Sequence, residues 1–331
     1  MNFSIAPYNS DSQAGSTAMP LWPALAEKAF CLKYGAGKKE ILFYYDSAPS
    51  DAGLLDTMLS TAPVIVLIHG LGDEADSWRH IIPLLNSRGY RVLAVDLPGF
   101  GRSTAAGGAD LKSHAAAIIL LLEAVVHQHE ADGRAIFLAG SSMGALVAET
   151  IALEKPDLAK SLMLIGGSIP GGPKNPGPLA LAKLLFSRKW YGAYRENPEG
   201  AGESLRPYYA DFDSLPGKDR EFLRQRVVAR VESRTQEKAF FQAQNSLVKT
   251  YATASARFAR GIRNYKGKIL LIWGESDRIM PLSSAETFKA LRADIELSVI
   301  PGAGHLPQQE KPAETAQLMV DFMDKINAGS K

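Results

Sequence analysis

An α/β fold, with a mostly parallel central sheet flanked by helices and a helical insertion, is predicted by three observations. Short, nearly continuous apolar runs recur along the chain, stretches of helical spacing separate them, and one long segment breaks the alternation. The runs are Val64–Ile68 (VIVLI), Arg91–Val95 (RVLAV), Ala135–Leu138 (AIFL), Leu162–Ile165 (LMLI) and Ile269–Trp273 (ILLIW). Strands covered on both faces read this way, because neither face is left to polar residues. Between them, Trp78–Ser87, Leu111–His129 and Ala145–Leu153 carry helical spacing, the order expected of a parallel sheet with crossover helices. Glu296–Ile300 predicts a last strand, and about Ala313–Ile326 a last helix.

Ahead of these elements, residues 1–28, rich in Ser, Ala, Asn and Pro up to about Pro23, read as a loosely held leader or a short packing arm. AFCLKY and EILFYY then flank the turn-like GAGKK, predicting an antiparallel hairpin over Phe30–Tyr45 at a sheet edge. The interruption is residues 168–260: a GGPKNPGP turn cluster followed by aromatic-bearing helical stretches, with no buried-strand run. It reads as a helical cap over one end of a core made of residues 29–167 and 261–331. The cap carries 16 Lys and Arg against 9 Asp and Glu, a surplus of +7 that leaves −5 on the rest of the chain. A solvated helix face accounts for such a surplus; peripheral contact with a lipid surface or attraction of an anionic substrate is the alternative.

With 331 residues, 46% hydrophobic, 22% charged and a formal net charge of +2, the composition is that of an ordinary globular protein. It excludes peptide-sized and disulfide-stapled classes. Cys31 is the only cysteine, no Cys and His cluster has metal-ligand spacing, and no nucleic-acid motif is present, so no metal and no nucleic-acid partner are expected. The N-terminus has no basic start followed by an apolar stretch, and no run approaches a membrane span; a cytoplasmic location is the expectation.

The strongest chemical signal is Gly140-Ser141-Ser142-Met143-Gly144, directly after one apolar run and before ALVAETIALE. This is a G-x-S-x-G turn in strand-to-helix context, where small residues flank a turn too tight for side chains and the serine hydroxyl stands above the sheet. A serine hydroxyl needs a base, and the base an orienting acid. His305, in PGAGHLP after the last strand, is the candidate base. Asp277, in GESDRIMP, is the candidate acid, with Glu275 as its rival two residues nearer the strand. The backbone N–H groups of Met143 and Leu71 are the candidate oxyanion donors, the second from the loop His69-Gly70-Leu71-Gly72-Asp73. His69 reads as a hydrogen-bonder of that loop. His80, His114, His127 and His129 read as surface residues. Leu181, Leu184, Leu185, Phe186, Trp190, Tyr191, Phe240 and Phe241 form the pool for an apolar pocket, each also a candidate for the cap's own core.

Together HGLGDEADSW (69–78), DLPGFGRS (96–103), GSSMG (140–144), WGESDRIMP (273–281) and PGAGHLPQQEKP (301–312) resemble the α/β-hydrolase superfamily, in its branch of capped carboxylesterases, monoacylglycerol lipases and carbon–carbon bond hydrolases. The resemblance implies Ser142 as nucleophile, His305 as base and then acid, Asp277 as orienting carboxylate, Leu71 and Met143 as oxyanion donors, and no cofactor. Asp96 and Arg102 take structural places in the turn after a core strand. Asp73 departs from the pattern, standing where many relatives carry a second glycine. A serine in the elbow argues against the dehalogenases and epoxide hydrolases, whose nucleophile is aspartate. Leu306 stands where carbon–carbon hydrolases of dienoic acids usually have tryptophan, which favours ester cleavage. The expected substrates are small or medium-chain apolar esters or monoacylglycerols. The alternatives are carbon–carbon hydrolysis and a noncatalytic receptor on the same fold.

Overall fold

The computed structural model describes residues 2–7, 26–33, 39–47, 62–126, 136–170 and 188–329. Nine strands form one sheet in the order β1-β2-β3-β5-β4-β6-β7-β8-β9. They are β1 (Asn2–Pro7), β2 (Ala26–Lys33), β3 (Lys39–Asp46), β4 (Val64–Ile68), β5 (Arg91–Val95), β6 (Ile136–Ser141), β7 (Ser161–Ile165), β8 (Lys268–Gly274) and β9 (Glu296–Ile300). Strands β4 to β9 run parallel, and β1, β2 and β3 add an antiparallel flank.

The apolar runs become strands because both of their faces are buried. Along β4, Val64, Val66 and Ile68 enter one core layer and Ile65 and Leu67 the other. The first layer packs against α2 (Leu111–Val126), α3 (Met143–Glu154) and the end of α5 (Arg234–Asn264), which contributes Phe258 and Ile262. The second packs against α1 (Ile81–Asn86) and α8 (Pro312–Ala328), whose Met319, Val320 and Met323 repeat at helical spacing. Each such buried side chain contributes about 1.5–3 kcal/mol of transfer free energy.

Of the two expectations for the N-terminal segment, Asn2–Pro7 fits a packing arm: it forms the outermost strand, paired antiparallel with β2 from Asn2↔Lys33 to Pro7↔Lys28. With β1 outside it, β2 lies between β1 and β3, and β3 between β2 and β5, so the hairpin is not at the edge of the sheet as expected. The turn 34–38, residues 127–135, and the cap segment with Leu181, Leu184, Leu185 and Phe186 lie outside the described residues.

Between β7 and β8 the described chain is helical, with no strand among the described residues. A helix over 188–196 leads to 3₁₀ turns at Glu199–Tyr208 and Phe212–Ser214, then to α4 (Gly217–Glu232) and α5. Helix α5 continues unbroken to Asn264, past the boundary expected at 260, because its last turns belong to the core rather than the cap. α6 (Leu282–Lys289) and α7 (Pro307–Glu310) complete the helices. Among the described residues no helix is long and apolar enough to cross a membrane.

Parallel register aligns the carboxyl ends of the strands at one edge. Ile68 pairs with Gly140, Ser141 with Ile165 and Gly274 with Ile300. The loops after β4, β6, β7, β8 and β9 therefore emerge side by side, beneath the helices of the insertion.

Candidate active site

Ser142 occupies the turn between β6 and α3 with φ 52° and ψ −117°, the one described non-glycine residue at positive φ. Packing forces this conformation. A Cβ on Gly140 would overlap the backbone of Gly144, and one on Gly144 would overlap the carbonyl of Ile68 in the neighbouring strand. The turn is tied down by the Ser142 N–H, which donates to the Ile165 carbonyl at 2.7 Å. Met143 begins α3, so its N–H has no acceptor within the helix and points with the helix's positive end toward the serine.

His305 and Asp277 meet although 28 residues separate them. His305 Nδ1 lies 2.8 Å from Asp277 Oδ2, and both side chains are buried. Asp277 Oδ1 accepts the N–H groups of Ile279 and Met280 at 2.8 and 2.9 Å. Nδ1 faces this carboxylate as donor to acceptor, and Nε2, the ring's other nitrogen, is buried and without a hydrogen-bond partner. Ser142 and His305 line the same cavity, and Gly166–Gly167, at the end of β7, packs against both. Glu275, the rival acid, is exposed and accepts the Gly302 N–H, away from the imidazole.

The loop after β4 lies alongside. Gly70 passes so close to the elbow serine that a Cβ there would stand 3.3 Å from Ser142 Cβ. The Asp73 N–H donates to the Gly70 carbonyl at 3.2 Å, which closes a turn and leaves the Leu71 N–H outside that bond. His69 holds the loop, as expected: one ring nitrogen meets the Gly70 carbonyl and the other accepts the Leu97 N–H at 2.9 Å. Burial pushes its pKa down.

A cavity of about 430 Å³ extends from Ser142 and His305 under the insertion. Of the apolar pool, Trp190, Tyr191 and Phe240 line it, with Leu71 and Leu306. Phe241 does not; it is buried against Tyr191 and Phe240. Phe186 falls outside the described residues.

Three expectations about charged and polar residues are corrected. His114 is fully buried rather than exposed, its ring tilted against Phe100, with neither ring nitrogen paired; burial and neighbouring His69 hold its pKa down at about 3. The α2 pattern turns this position inward, and an apolar environment holds it neutral. His80 is half-buried rather than at the surface, because its ring meets Asp219 at 2.9 Å. The basic surplus of the insertion is not wholly a solvated face either. Arg226 of α4 pairs with Glu74, and Arg230 reaches Asp73 at 2.8 Å and Glu74 at 3.4 Å. Burial disfavours the Glu74 charge, but the two arginines outweigh it and hold its pKa well below the carboxylate range.

Several contacts of the site had no sequence signal. The His305 N–H donates to the Tyr208 carbonyl at 2.8 Å, and the Tyr208 ring lies against the imidazole, tilted, with the ring centres 5.9 Å apart. Glu310 accepts from the N–H groups of Gly304 at 2.7 Å and Ala210 at 2.8 Å, strapping the histidine loop to the insertion. Asp73 did carry a signal: a carboxylate in place of a glycine needs a partner, and Arg230 supplies it.

An elbow serine, a histidine hydrogen-bonded to an aspartate and a covered cavity mark the site of an α/β hydrolase. The chain belongs to the α/β hydrolase fold family, whose model matches residues 63–312. It is 28% identical over 269 residues to the 2-hydroxy-6-oxononadienedioate/2-hydroxy-6-oxononatrienedioate hydrolase of Cupriavidus pinatubonensis, covering 79% of this chain and 87% of that protein. Among solved structures it is similar to a thermophilic esterase from Thermogutta terrifontis, with TM-score 0.67 and 21% identity over 91% of this chain and 98% of that one. It is also similar to the 2-hydroxy-6-oxo-6-phenylhexa-2,4-dienoate hydrolase of a Rhodococcus species, with TM-score 0.65 and 20% identity over 91% and 99%. At these identities the solved structures speak to the fold.

Proposed function

We propose that this chain is a serine hydrolase that attacks the carbonyl carbon of a small, largely apolar substrate through Ser142. The observation that carries this reading is the His305–Asp277 hydrogen bond, which leaves an unpaired Nε2 in the wall that Ser142 shares. Ser142 Oγ forms a bond to the carbonyl carbon while its proton passes to His305 Nε2. The N–H groups of Met143 and Leu71 stabilise the oxyanion; losing one such donor typically costs about 10²–10³-fold in kcat. The leaving group departs with the proton from His305. Water, deprotonated by the same nitrogen, then releases the acid. Asp277 keeps the imidazole oriented and stabilises its positive form. Neither a metal nor an organic cofactor enters these steps.

Two readings of the bond cleaved differ in their support. Carbon–carbon hydrolysis of a dienoic keto acid has the better support from comparison, since the curated relatives carry that name. Ester hydrolysis is supported by local features. Leu306 follows His305, and Arg230, the one permanent cation among the described lining residues, is already matched by Asp73 and Glu74. Glu203 adds a further acid to the lining. A substrate with two carboxylates finds no unmatched cation there, whereas a neutral ester pays no such penalty.

The test compares a short-chain p-nitrophenyl ester, a monoacylglycerol and a 2-hydroxy-6-oxo-dienoic acid under identical conditions. Dominant turnover of the last establishes the carbon–carbon reading; dominant turnover of either other establishes the ester. Ser142→Ala is expected to lose at least about 10³-fold of the preferred rate while remaining folded. Turnover unchanged in that variant rejects the serine mechanism.

A further inference from the structure

The geometry points to Arg230 of the insertion as a positioning residue for the oxyanion loop: through Asp73 it fixes the turn that presents the Leu71 N–H, so that the donor is in place only when helix α4 is seated. This inference rests on the serine hydrolase reading above and adds the cap to its machinery.

The turn 70–73 is short and held by little of its own. One backbone bond, Asp73 N–H to Gly70 carbonyl at 3.2 Å, closes it, and Gly72 enters it at φ +71°. Its inner side rests on Ser142 through Gly70, and its outer side lies under the Phe240 ring of α5. The Asp73 carboxylate extends from the closing residue of the turn. It is held by Arg230 Nη2 at 2.8 Å, while the same nitrogen reaches Glu74 Oε1 at 3.4 Å. Arg226, one helical turn earlier, pairs with Glu74. Two cations on one face of α4 thus clamp two consecutive acids of the loop.

The clamp is little exposed: the side chains of Arg230 and Asp73 retain 14% and 15% of their accessible surface, and Glu74 only 1%. Solvent screening is weak at such a place, so losing one partner leaves an unmatched charge that the loop must move to hydrate. A turn whose donor must sit about 3 Å from a developing oxyanion tolerates little movement. The substitution of aspartate for the family's glycine gives the loop a handle, and α4 holds it.

Because both contacts come from one nitrogen, a lysine ammonium can replace them where a neutral side chain cannot. Arg230→Gln is expected to lower kcat about 10- to 100-fold on the preferred substrate, with KM within about 3-fold, since the lost contact acts on the transition state. Arg230→Lys is expected to recover most of that loss. Affinity for an aryl trifluoromethyl ketone, whose adduct with Ser142 carries an oxyanion, should fall in step with kcat in Arg230→Gln and recover in Arg230→Lys. If Arg230→Gln does not fold, Asp73→Asn, which preserves side-chain size, is held to the same kcat and ketone criteria. An effect confined to KM, or an unchanged kcat, overturns this inference and makes Arg230 a substrate contact or a bystander. Activity that survives Ser142→Ala overturns the hydrolase reading as well, so the two failures are told apart.

Discussion

Single buried residues set the tolerances of this site. A methyl group at Gly144 meets the carbonyls of Ile68 and His69, which belong to the sheet and cannot yield cheaply. Gly144→Ala is therefore expected to lose at least about 1–3 kcal/mol, read as a lower thermal midpoint together with lost activity. Glu149 of α3 is fully buried, with one oxygen accepting the Ile169 N–H at 3.0 Å and the other unpaired. Burial pushes its pKa well above the ordinary 4.5, so the folded protein binds a proton that the unfolded chain releases. Its contribution to stability is present below that ordinary value and declines as pH rises toward the folded pKa. Glu149→Gln should accordingly unfold at a higher temperature than the parent at pH 8, with the gap narrowing toward pH 5; a gap independent of pH contradicts this. His114 has the opposite sign. Held neutral down to about pH 3, it favours unfolding as pH falls below its ordinary 6.5. The sequence shows the histidine but not its burial, because an apolar stripe wide enough to include it differs from a narrower one by a single position.

At the level of elements, strands were more legible than the contacts between them. The runs at 64–68 and 91–95 coincide with β4 and β5, since a strand buried on both faces has no other way to be written, and the run at 296–300 coincides with β9, which is partly exposed at the sheet's edge. The elbow and the histidine and aspartate loops were legible because turn chemistry is local. The edge strand β1 was not: its partner lies some twenty residues away, and a lone outer strand has no hydrophobic signature of its own. Helix α4 was legible as a helix, but its task was not, since charge counts do not say whom an arginine faces. Its N-terminal end is held by Asp219, which accepts from Arg79 at 3.1 Å and meets His80 at 2.9 Å. Burial opposes the Asp219 charge, but Arg79, with the His80 ring beside it, holds its pKa below the usual value. Asp219→Asn is expected to cost about 1–3 kcal/mol, seen in chemical denaturation. An unchanged midpoint would mean that the helix is seated without this contact.

Across the whole molecule, the two charge surpluses of the sequence face one another. The insertion is basic and the remainder acidic, and part of that imbalance closes where α4 meets the loop after β4. Hydrophobic matter alone would let such a roof slide; paired charges give it a register. The same seam bears on selectivity, because an arginine that faces Asp73 is not available to a carboxylate brought by substrate.

The Tyr208 carbonyl, which receives the backbone N–H of His305, makes the roof and the histidine loop inseparable. Transplanting a lid from a homologous enzyme onto this body would be more than a change of wallpaper around the substrate. Unless the graft offered a main-chain oxygen at the same spot, the imidazole would lose its seat and the chimera would fold yet turn over poorly. Modular exchange, a common engineering route to new selectivity, must here conserve one anonymous peptide group.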